Sequence, residues 1–431
     1  MSAAVLGIVS ALAAPARSDL GAADLASASK AVDARVVEWR RDFHEHPELS
    51  NRETRTAMVI ADRLRAMGLE VKTGIALTGV TALLRGGQPG RTIALRADMD
   101  ALPVTEAVDL PFKSTVTTQF RGATVGVMHA CGHDAHSAIL LGVARVLSGL
   151  KEQLRGQVLF VFQPAEEGAP DGEKGGASRM LAEGALAAAK PEAMFGLHVV
   201  SSLPTGVIGY RSGPMMAASD RFTLKVTGRQ THGSRPWSGV DPIVASAQII
   251  TGLQNIVSRQ LDITAAPAVV SIGAIQGGVR YNIIPDGVEM LGTLRTFDEG
   301  MRKDAIRRME QTAKSIAAAS GATASLSVRD DGNPTLVNDP ALTARVVPSL
   351  ERVAGKQRVR VIGLQTTAED FAHYARRLPS FFFWVGVTPP GKDPETAAFN
   401  HSPLFFVDEA GLAVGLRALL AVAVDELQRA Q

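Results

Sequence analysis

The spacing of apolar positions predicts a layered α/β arrangement for the first half of the chain. Apolar residues from Val32 to Phe43 recur at helical spacing and predict an amphipathic helix. Ser50 and Glu53 stand in the pattern of a capping box, which predicts the start of a second helix. Alternating strands and one further helix follow up to about residue 212, at residues 71, 80–84, 92–96, 135–150 (the helix) and 158–162.

From about Asp220 the order of the predicted elements changes. Strand, helix, strand, strand, helix and strand follow each other at residues 222–226, 241–260, 268–275, 288–296, 302–319 and 324–328. This β-α-β-β-α-β order is the ferredoxin-like arrangement. After it the α/β pattern resumes, with helices predicted at residues 341–353, 369–376 and 409–428 and strands at residues 358–362 and 381–387. We therefore predict a layered α/β/α domain, residues 30–213 and 332–431, that is interrupted by a ferredoxin-like domain, residues 214–331. Two consecutive domains are the alternative interpretation.

Composition and charge narrow the class of protein. The 431 residues are enough for two domains, and a net charge of +2 gives no bias toward nucleic acid. The single cysteine excludes an internal disulfide. Residues 3–14 are apolar and small, as in a secretory signal. We therefore interpret residues 1–20 as a signal remnant or a disordered start, which leaves cytoplasm and periplasm open, and we predict no membrane span.

Polar side chains interrupt or follow several of the predicted apolar strands. They lie in Asp98-Met99-Asp100, in Glu166-Glu167 and at His198, and Cys131-Gly132-His133 precedes a predicted helix. Ligands of open α/β sheets gather beyond the carboxyl ends of the strands, so we expect these groups to converge. Taken singly, an acid pair is more often a helix cap and a strand histidine more often a core residue. Together, thiolate, imidazole and carboxylate groups favour a site for zinc, manganese, cobalt or nickel.

These motifs resemble those of a known enzyme family. In chain order they are His129-Ala130-Cys131-Gly132-His133-Asp134, Gln163-Pro164-Ala165-Glu166-Glu167-Gly168, Gly196-Leu197-His198 and Asn400-His401-Ser402-Pro403. They resemble the dinuclear amidohydrolases that act on N-acyl, indole-acetyl and hippuryl amino acids, the cysteine-ligand branch of the aminoacylase and carboxypeptidase-type metallopeptidases. The resemblance runs from about Trp39 to Val407. It implies a two-metal α/β catalytic domain that is interrupted by a ferredoxin-like lid, which often forms a homodimer.

The resemblance also implies which residues hold the metals. Five side chains are expected to bind two divalent ions (Zn, Mn, Co or Ni), namely Cys131, His133, Glu167, His198 and His401. The Cys131 thiolate would bridge both ions or lie beside them. Relatives of the carboxypeptidase type have His-x-Asp at the position of Asp98-Met99-Asp100, which argues against metal contact by Asp98. Asp100 is expected to orient a metal ligand, as carboxylates behind ligating histidines do.

The remaining roles concern the reaction and the substrate. By the resemblance, Glu166 is the general base, which takes a proton from a water molecule activated by the metals and passes it to the leaving nitrogen. His232 of the lid would stabilise the oxyanion, commonly from the partner subunit. Asn282 would bind the substrate backbone or carboxylate, and Arg295 is a further candidate for the carboxylate.

The sequence therefore favours hydrolysis of the amide bond of an N-acyl amino acid. A dipeptidase or carboxypeptidase that acts on short peptides is the nearest alternative, because the same metal centre would serve it. A catalytically silent metal-binding or interaction protein is a second alternative, which the retained Glu166 disfavours. A thiol enzyme with Cys131 as nucleophile is a third. Partners are expected to be this small-molecule substrate and a second copy of the chain, with no nucleic acid and no membrane.

Overall fold

The computed structural model describes residues 20–429, which form one large and one smaller principal sheet with helices packed against them. The signal-like segment at residues 3–14 lies outside the described residues. Among the described residues, no helix is both long and apolar enough to cross a membrane.

The elements up to the first crossing into the smaller sheet alternate as expected for an α/β domain. They are α1 (Ala22–Lys30), α2 (Asp33–Glu45), α3 (Thr54–Ala66), β1 (Glu70–Ile75), β2 (Gly79–Arg85), β3 (Gln88–Asp98), β4 (Thr117–Phe120), β5 (Ala123–Gly126), α4 (His133–Gly149), β6 (Arg155–Gln163), α5 (Gly176–Ala182), β7 (Ala193–Pro204), β8 (Ile208–Tyr210) and β9 (Gly213–Met216).

The remaining elements first build the smaller sheet and then return to the large one. They are β10 (Ala218–Thr227), β11 (Thr231–His232), α6 (Pro242–Asn255), β12 (Ala268–Gln276), β13 (Ile283–Ile284), β14 (Gly287–Thr296), α7 (Glu299–Ala319), β15 (Thr323–Val328), β16 (Leu336–Asn338), α8 (Pro340–Ala354), β17 (Val359–Val361), α9 (Ala372–Ala375), β18 (Ser380–Thr388) and α10 (Ala410–Gln428).

The large sheet has eight strands in the order β1-β2-β6-β3-β7-β18-β8-β17. Its centre is parallel, because β3 pairs with β6 and β7, and β18 pairs with β7, in parallel register. Both faces are covered. Leu95 and Phe160 pack in a core shared with α2, α4 and α10, whereas Ala94 and Leu159 pack in a second core shared with α5 and α9. Because both faces of the sheet are buried, the sequences of its central strands are mostly apolar without alternation.

The smaller sheet has four strands in the order β12-β14-β10-β15. Alternate residues of β10, Phe222, Leu224 and Val226, face a core that also contains residues of α6 and α7. The intervening residues of β10 are more exposed. Helices thus cover one face of an antiparallel sheet, and the predicted α/β/α fold with a ferredoxin-like domain is confirmed.

Two local predictions were wrong. Ser50 and Glu53 do not form a capping box, because Glu53 is the N-cap of α3 and makes no side-chain hydrogen bond to that helix in the described structure. Instead, the Glu48 carboxylate accepts from the amides of Arg55 (3.0 Å) and Thr56 (2.8 Å), so a more distant acid caps the helix. The helix predicted from Glu409 does form as α10, but the one predicted around Glu369 is reduced to the single turn α9.

The strands β9 and β16 connect the two sheets, and they pair with each other in antiparallel register. Asn338, at the end of β16, is fully buried. Its amide nitrogen donates to the carbonyls of Arg211 (2.9 Å) and Phe382 (2.8 Å), and its oxygen accepts from the amide of Phe382 (2.7 Å). One side chain therefore fastens the connection to the central strand β18.

We expect Asn338→Leu to lower the free energy of unfolding by about 3 kcal/mol, because it leaves buried backbone groups without partners. The adjacent, partly exposed Val337 is the control, and Val337→Ala should cost less than about 1 kcal/mol. Urea titration of both variants measures the difference. Equal destabilisation by the two substitutions would contradict this account of the connection.

Candidate metal centre

Two clusters of ligand-type side chains meet at Cys131. Its sulfur lies within 4.8 Å of ligand atoms of His133 and His198 in one cluster, and of Glu167 and His401 in the other. The five side chains that the sequence predicted as metal ligands are thus brought together by the fold. Because the two clusters share the thiol, they lie next to each other.

The local backbone brings these side chains to the edge of the large sheet. Cys131 precedes α4, and Gly132 at its N-cap has φ +92°, where a side chain would collide with Val199. His133 is the first residue of α4, and His198 lies within β7. Each element therefore contributes a ligand atom from a position that its backbone fixes.

Asn400 joins the segment that carries His401 to this edge. Its side-chain amide donates to the carbonyls of Cys131 and Val199, both at 3.0 Å. The His401 amide donates to the carbonyl of Ala130 at 2.8 Å, and His401 has the uncommon φ of +74°. The motif predicts no role for Asn400, and in the structure it holds together the segments that carry Cys131 and His401.

The two inner histidines are oriented by their Nδ1 atoms. His133 Nδ1 lies 2.8 Å from the carbonyl oxygen of Asp100, and His198 Nδ1 lies 2.8 Å from that of Val199. Since carbonyls accept, both Nδ1 atoms donate, and both Nε2 atoms are left as the ring positions that face the clusters. This orientation is the one that metal-ligating histidines adopt.

The donor atoms fit divalent cations. His133 Nε2 is buried and has no hydrogen-bond partner among the described residues. His401 Nε2 lies 3.0 Å from Glu167 Oε1, and this contact raises the pKa of His401. The two atoms are therefore close enough to bind one cation. A set of one thiol, three imidazoles and one carboxylate suits borderline-soft divalent metals.

The surroundings of Cys131 and His133 raise the pKa values of both side chains. Burial raises the pKa of the Cys131 thiol, and the negative charges of Glu167 and Glu166 raise it further. Burial lowers the pKa of His133, but Asp98 and Asp100 outweigh that effect and raise it to about 10. In the absence of a cation both groups therefore hold their protons. A divalent ion would have to displace these protons in order to bind.

Glu166 lies at the border between the metal clusters and a second acidic group. Its Oε2 is 3.9 Å from His133 Nε2, and its Oε1 accepts a long bond of 3.4 Å from the amide of Asp370. Glu166 also groups with Glu369 and Asp370 within 4.8 Å. Burial raises the pKa of Glu166 well above its ordinary value, and Glu369 and Glu167 raise it further. Such a carboxyl group is suited to proton transfer.

The two aspartates after β3 have different surroundings. Asp98 directs one oxygen to Arg96 (2.7 Å) and the other to His136 Nδ1 (2.6 Å), and the oxygen that contacts Arg96 also lies 3.8 Å from His133 Nε2. Asp100 lies behind His133, with Oδ1 3.3 Å from His133 Nδ1. Its two oxygens also accept from the amides of Glu166 (3.1 Å) and Glu167 (3.0 Å). The position of Asp100 agrees with the expectation that it orients a ligand. Asp98 groups with His133 and His136 within 4.8 Å, so the absence of metal contact by Asp98 stays a prediction.

The lid residues lie apart from the metal clusters in this chain. His232 is exposed, its Nδ1 accepts from the Ser234 amide (3.1 Å), and no hydrogen bond or ion pair links it to the clusters in the described residues. Asn282 lies beside it, because β11 and β13 pair and the Asn282 carbonyl accepts from Gly233. A cavity of about 560 Å³ adjoins this pair of strands. Arg295 is elsewhere on the lid sheet.

Arg295 makes its contacts within the lid. Its guanidinium donates to the hydroxyls of Ser219 (2.6 Å) and Thr293 (2.8 Å). The fold therefore places His232 next to Asn282, whereas Arg295 contacts other residues of the lid.

Sequence reasoning missed Arg96. It is fully buried, and its guanidinium contacts Asp98 at 2.7 Å, Glu369 at 3.0 Å and Asp370 at 2.8 Å. Arg96 stands in a predicted apolar strand, and arginine is almost never fully buried without partners. Its position could therefore have indicated a buried ion pair. Its acidic partners, Glu369 and Asp370, could not be paired with it because they follow it by more than 270 residues.

Comparison with known proteins extends these observations. The sequence pattern of peptidase family M20/M25/M40 matches residues 94–425. Thermostable carboxypeptidase 1 of Saccharolobus solfataricus is 42% identical over 90% of this chain and 94% of its own length. N-acetylcysteine deacetylase of Bacillus subtilis is 38% identical over 93% of this chain and 99% of its own length. Both relatives therefore include the counterparts of the large sheet and of the lid.

One solved structure bears directly on the metal clusters. The Bacillus subtilis protein YxeP, described as a dinuclear metal binding peptidase from the M20 family, is 36% identical to this chain. The two structures superpose with a TM-score of 0.75, over 93% of this chain and 99% of that chain. A two-cation centre in that relative agrees with the two clusters that share Cys131.

Metal binding should release protons from the cluster. When Zn²⁺ is titrated into the metal-free protein at about pH 8, we expect release of about two protons, one from Cys131 and one from His133. Because the folded metal-free protein keeps the His133 proton up to a pKa of about 10, apparent zinc affinity should rise with pH between about pH 6 and pH 9. Calorimetry in buffers of different ionisation enthalpy counts the protons.

Cys131→Ser provides the matched test. It should release about one proton fewer and bind Zn²⁺ more weakly, because the serine hydroxyl does not ionise at this pH. An unchanged proton count in this variant would remove Cys131 from the set of ligands.

Proposed function

We propose that this chain, a metal-dependent amidohydrolase that belongs to peptidase family M20/M25/M40, cleaves N-acyl amino acids into a carboxylic acid and an amino acid. The observation that carries the proposal is Glu166 beside two ligand clusters that share Cys131. A protein that only stores metal ions would not need a general base such as Glu166 at this position. The name of the deacetylase relative supports this substrate class.

The proposed ligands are the five side chains that converge on the two clusters, Cys131, His133, Glu167, His198 and His401. The thiol disfavours magnesium and calcium, which prefer oxygen ligands, and supports zinc, manganese, cobalt or nickel. When bound, two such ions would polarise the amide carbonyl and lower the pKa of the attacking water. The protein residues then have to position the substrate and move protons.

Glu166 is proposed to move the proton. It takes a proton from the attacking water and donates it to the amide nitrogen, which is a poor leaving group until it is protonated. The long contact with the Asp370 amide leaves its carboxylate free to turn toward the substrate. Cys131 is not suited to act as the nucleophile, because burial and the neighbouring carboxylates raise its pKa, whereas reactive thiols have a lowered pKa.

The lid is proposed to complete the site from a second subunit. His232 is exposed, with Asn282 next to it on the paired strands β11 and β13. In a symmetric dimer, one lid could present His232 to the oxyanion and Asn282 to the substrate carboxylate in the site of its partner. Arg295 is assigned to the carboxylate as well, although its present contacts are two hydroxyl groups of the lid.

A carboxypeptidase or dipeptidase is the second candidate. The carboxypeptidase relative supports it, and the same metal centre would polarise a peptide carbonyl. The two candidates differ only in the group on the acyl side of the bond, so substrate preference decides between them.

Glu166→Gln should lower kcat by about 10²–10⁴-fold, because the amide cannot accept the proton. Zinc content should not change. The assay uses N-acetyl, N-benzoyl and aromatic N-acyl amino acids together with several dipeptides, on zinc- or manganese-loaded protein. Glu310→Gln, in an exposed ion pair of α7, is the control and should match wild type. Robust activity of Glu166→Gln would refute the role of this residue, and cleavage of dipeptides alone would favour the second candidate.

Mixing two inactive variants tests the contribution of the partner. His232→Ala and Glu166→Gln should each be inactive alone. After co-refolding in equal amounts, about a quarter of all sites should combine intact His232 and Glu166, and activity should return to about that fraction. If each site used the His232 of its own chain, the mixture would stay inactive.

A further inference from the structure

The segment Ser50-Asn51-Arg52-Glu53, which fails to cap its helix, contacts the turn that carries the two site glutamates. We call residues 165–167 the glutamate turn. We propose that Glu53 is a positioning residue for the reaction, which holds the glutamate turn through the amide of Ala165. The inference rests on the proposed function for its kinetic effect, and on the metal clusters for its effect on cation binding.

The glutamate turn presents consecutive backbone amides to two carboxylates. The amide of Ala165 donates to Glu53 Oε1 at 2.9 Å. The amides of Glu166 and Glu167 donate to the two oxygens of Asp100, at 3.1 Å and 3.0 Å. All hydrogen-bond donors of the turn backbone are therefore used to fix its position. A rotation of the turn would break these bonds together.

The turn needs this support because its first residue is strained. Ala165 has φ +53°, a left-handed conformation that a residue with a side chain adopts at a cost. It is also 2% exposed, so water cannot replace Glu53 as the acceptor. Without Glu53, the Ala165 amide would be buried and unpaired, and relaxation of φ would relieve both penalties. The relaxed turn would carry Glu166 and Glu167 with it.

The Glu53 side chain is fixed by burial and by a second hydrogen bond. It is fully buried, and its second oxygen accepts from the Thr78 hydroxyl at 2.6 Å. Burial and the nearby Asp100 raise its pKa to about 7, so a carboxyl group is retained here against its desolvation cost. The helix does not need it, since Glu48 accepts the amides at the start of α3.

The rest of the segment contacts the same region. Ser50 donates to Asp100 Oδ2 at 2.7 Å. Asn51 donates to the carboxylate of Glu173 at 2.9 Å, and Arg52 also contacts that carboxylate. The segment thus fixes both the acceptor of the Glu166 and Glu167 amides and the loop that follows them. This agrees with a supporting role for the segment as a whole.

Two variants of similar side-chain volume test Glu53. Glu53→Gln keeps an oxygen acceptor for the Ala165 amide and should stay within about 3-fold of wild type in kcat and zinc affinity. Glu53→Met fills the space without an acceptor. Its kcat should fall about 100-fold, since small displacements of catalytic groups have effects of that order, with KM changed less than about 3-fold. Its zinc affinity should fall about 10-fold or more, because Glu167 moves as well.

Glu48→Ala is the matched control for stability. It removes the cap of α3 and should lower the thermal midpoint, but it should leave kcat and zinc affinity unchanged. Wild-type kcat and zinc affinity in Glu53→Met, or an effect no larger than that of Glu48→Ala, would overturn the inference. If Glu53→Met does not fold, Thr78→Val decides instead. A roughly 5-fold loss of kcat then supports the inference, and unchanged kcat overturns it.

Zinc affinity, measured by competition with a chromophoric chelator, separates this inference from the proposed function. If wild type cleaves no N-acyl amino acid, the proposed function fails, but weaker zinc binding by Glu53→Met still supports the positioning role. If wild type is active and Glu53→Met matches it in both measurements, only the positioning role fails.

Discussion

Buried negative charge at the edge of the large sheet is the constraint on which this structure depends. Asp98, Glu369 and Asp370 all lie within 3.0 Å of the buried guanidinium of Arg96. One cation inside the protein therefore neutralises part of the acidic cluster, because an unpaired buried charge would be prohibitively costly. Among the described residues, the ion pairs of this arginine do not include Glu167, which groups with Cys131 and His401 instead. A divalent cation there would compensate the charge of Glu167.

This division of charge explains how the fold is arranged around the site. The groups compensated by Arg96 are Asp98, at the end of β3, and Glu369 and Asp370, which precede α9. The groups that meet at Cys131 come from the start of α4, from β7, from the turn after β6 and from the segment that Asn400 holds. The lid sheet contributes no ligand to either cluster, so it is free to supply substrate contacts and to meet a second subunit.

The apolar pattern was sufficient to predict the fold, and the motifs were sufficient to select the residues that meet at Cys131. Periodicity works for β10, where alternate residues are buried, and for α7, where the buried residues are four positions apart, because the burial pattern is a local property of each element. The capping-box prediction for Ser50 and Glu53 was wrong because it considered residues 50–53 alone. The acceptor that caps the helix, Glu48, and the buried amide that Glu53 accepts from, that of Ala165, both lie outside this segment. Arg96 and Asp370 were missed for a related reason, since only the folded sheet brings them together.

Cys131 illustrates how the surroundings decide the role of a reactive side chain. Its thiol is buried among carboxylates, which raise its pKa and keep it protonated in the absence of a cation. Ionisation thus becomes favourable only when positive charge arrives at the same place, and the thiolate that forms is then occupied as a ligand. If Cys131 binds the metals as proposed, the same surroundings keep it from acting as a free nucleophile. The attacking group of the proposed reaction is then water, and Glu166 is the proposed base.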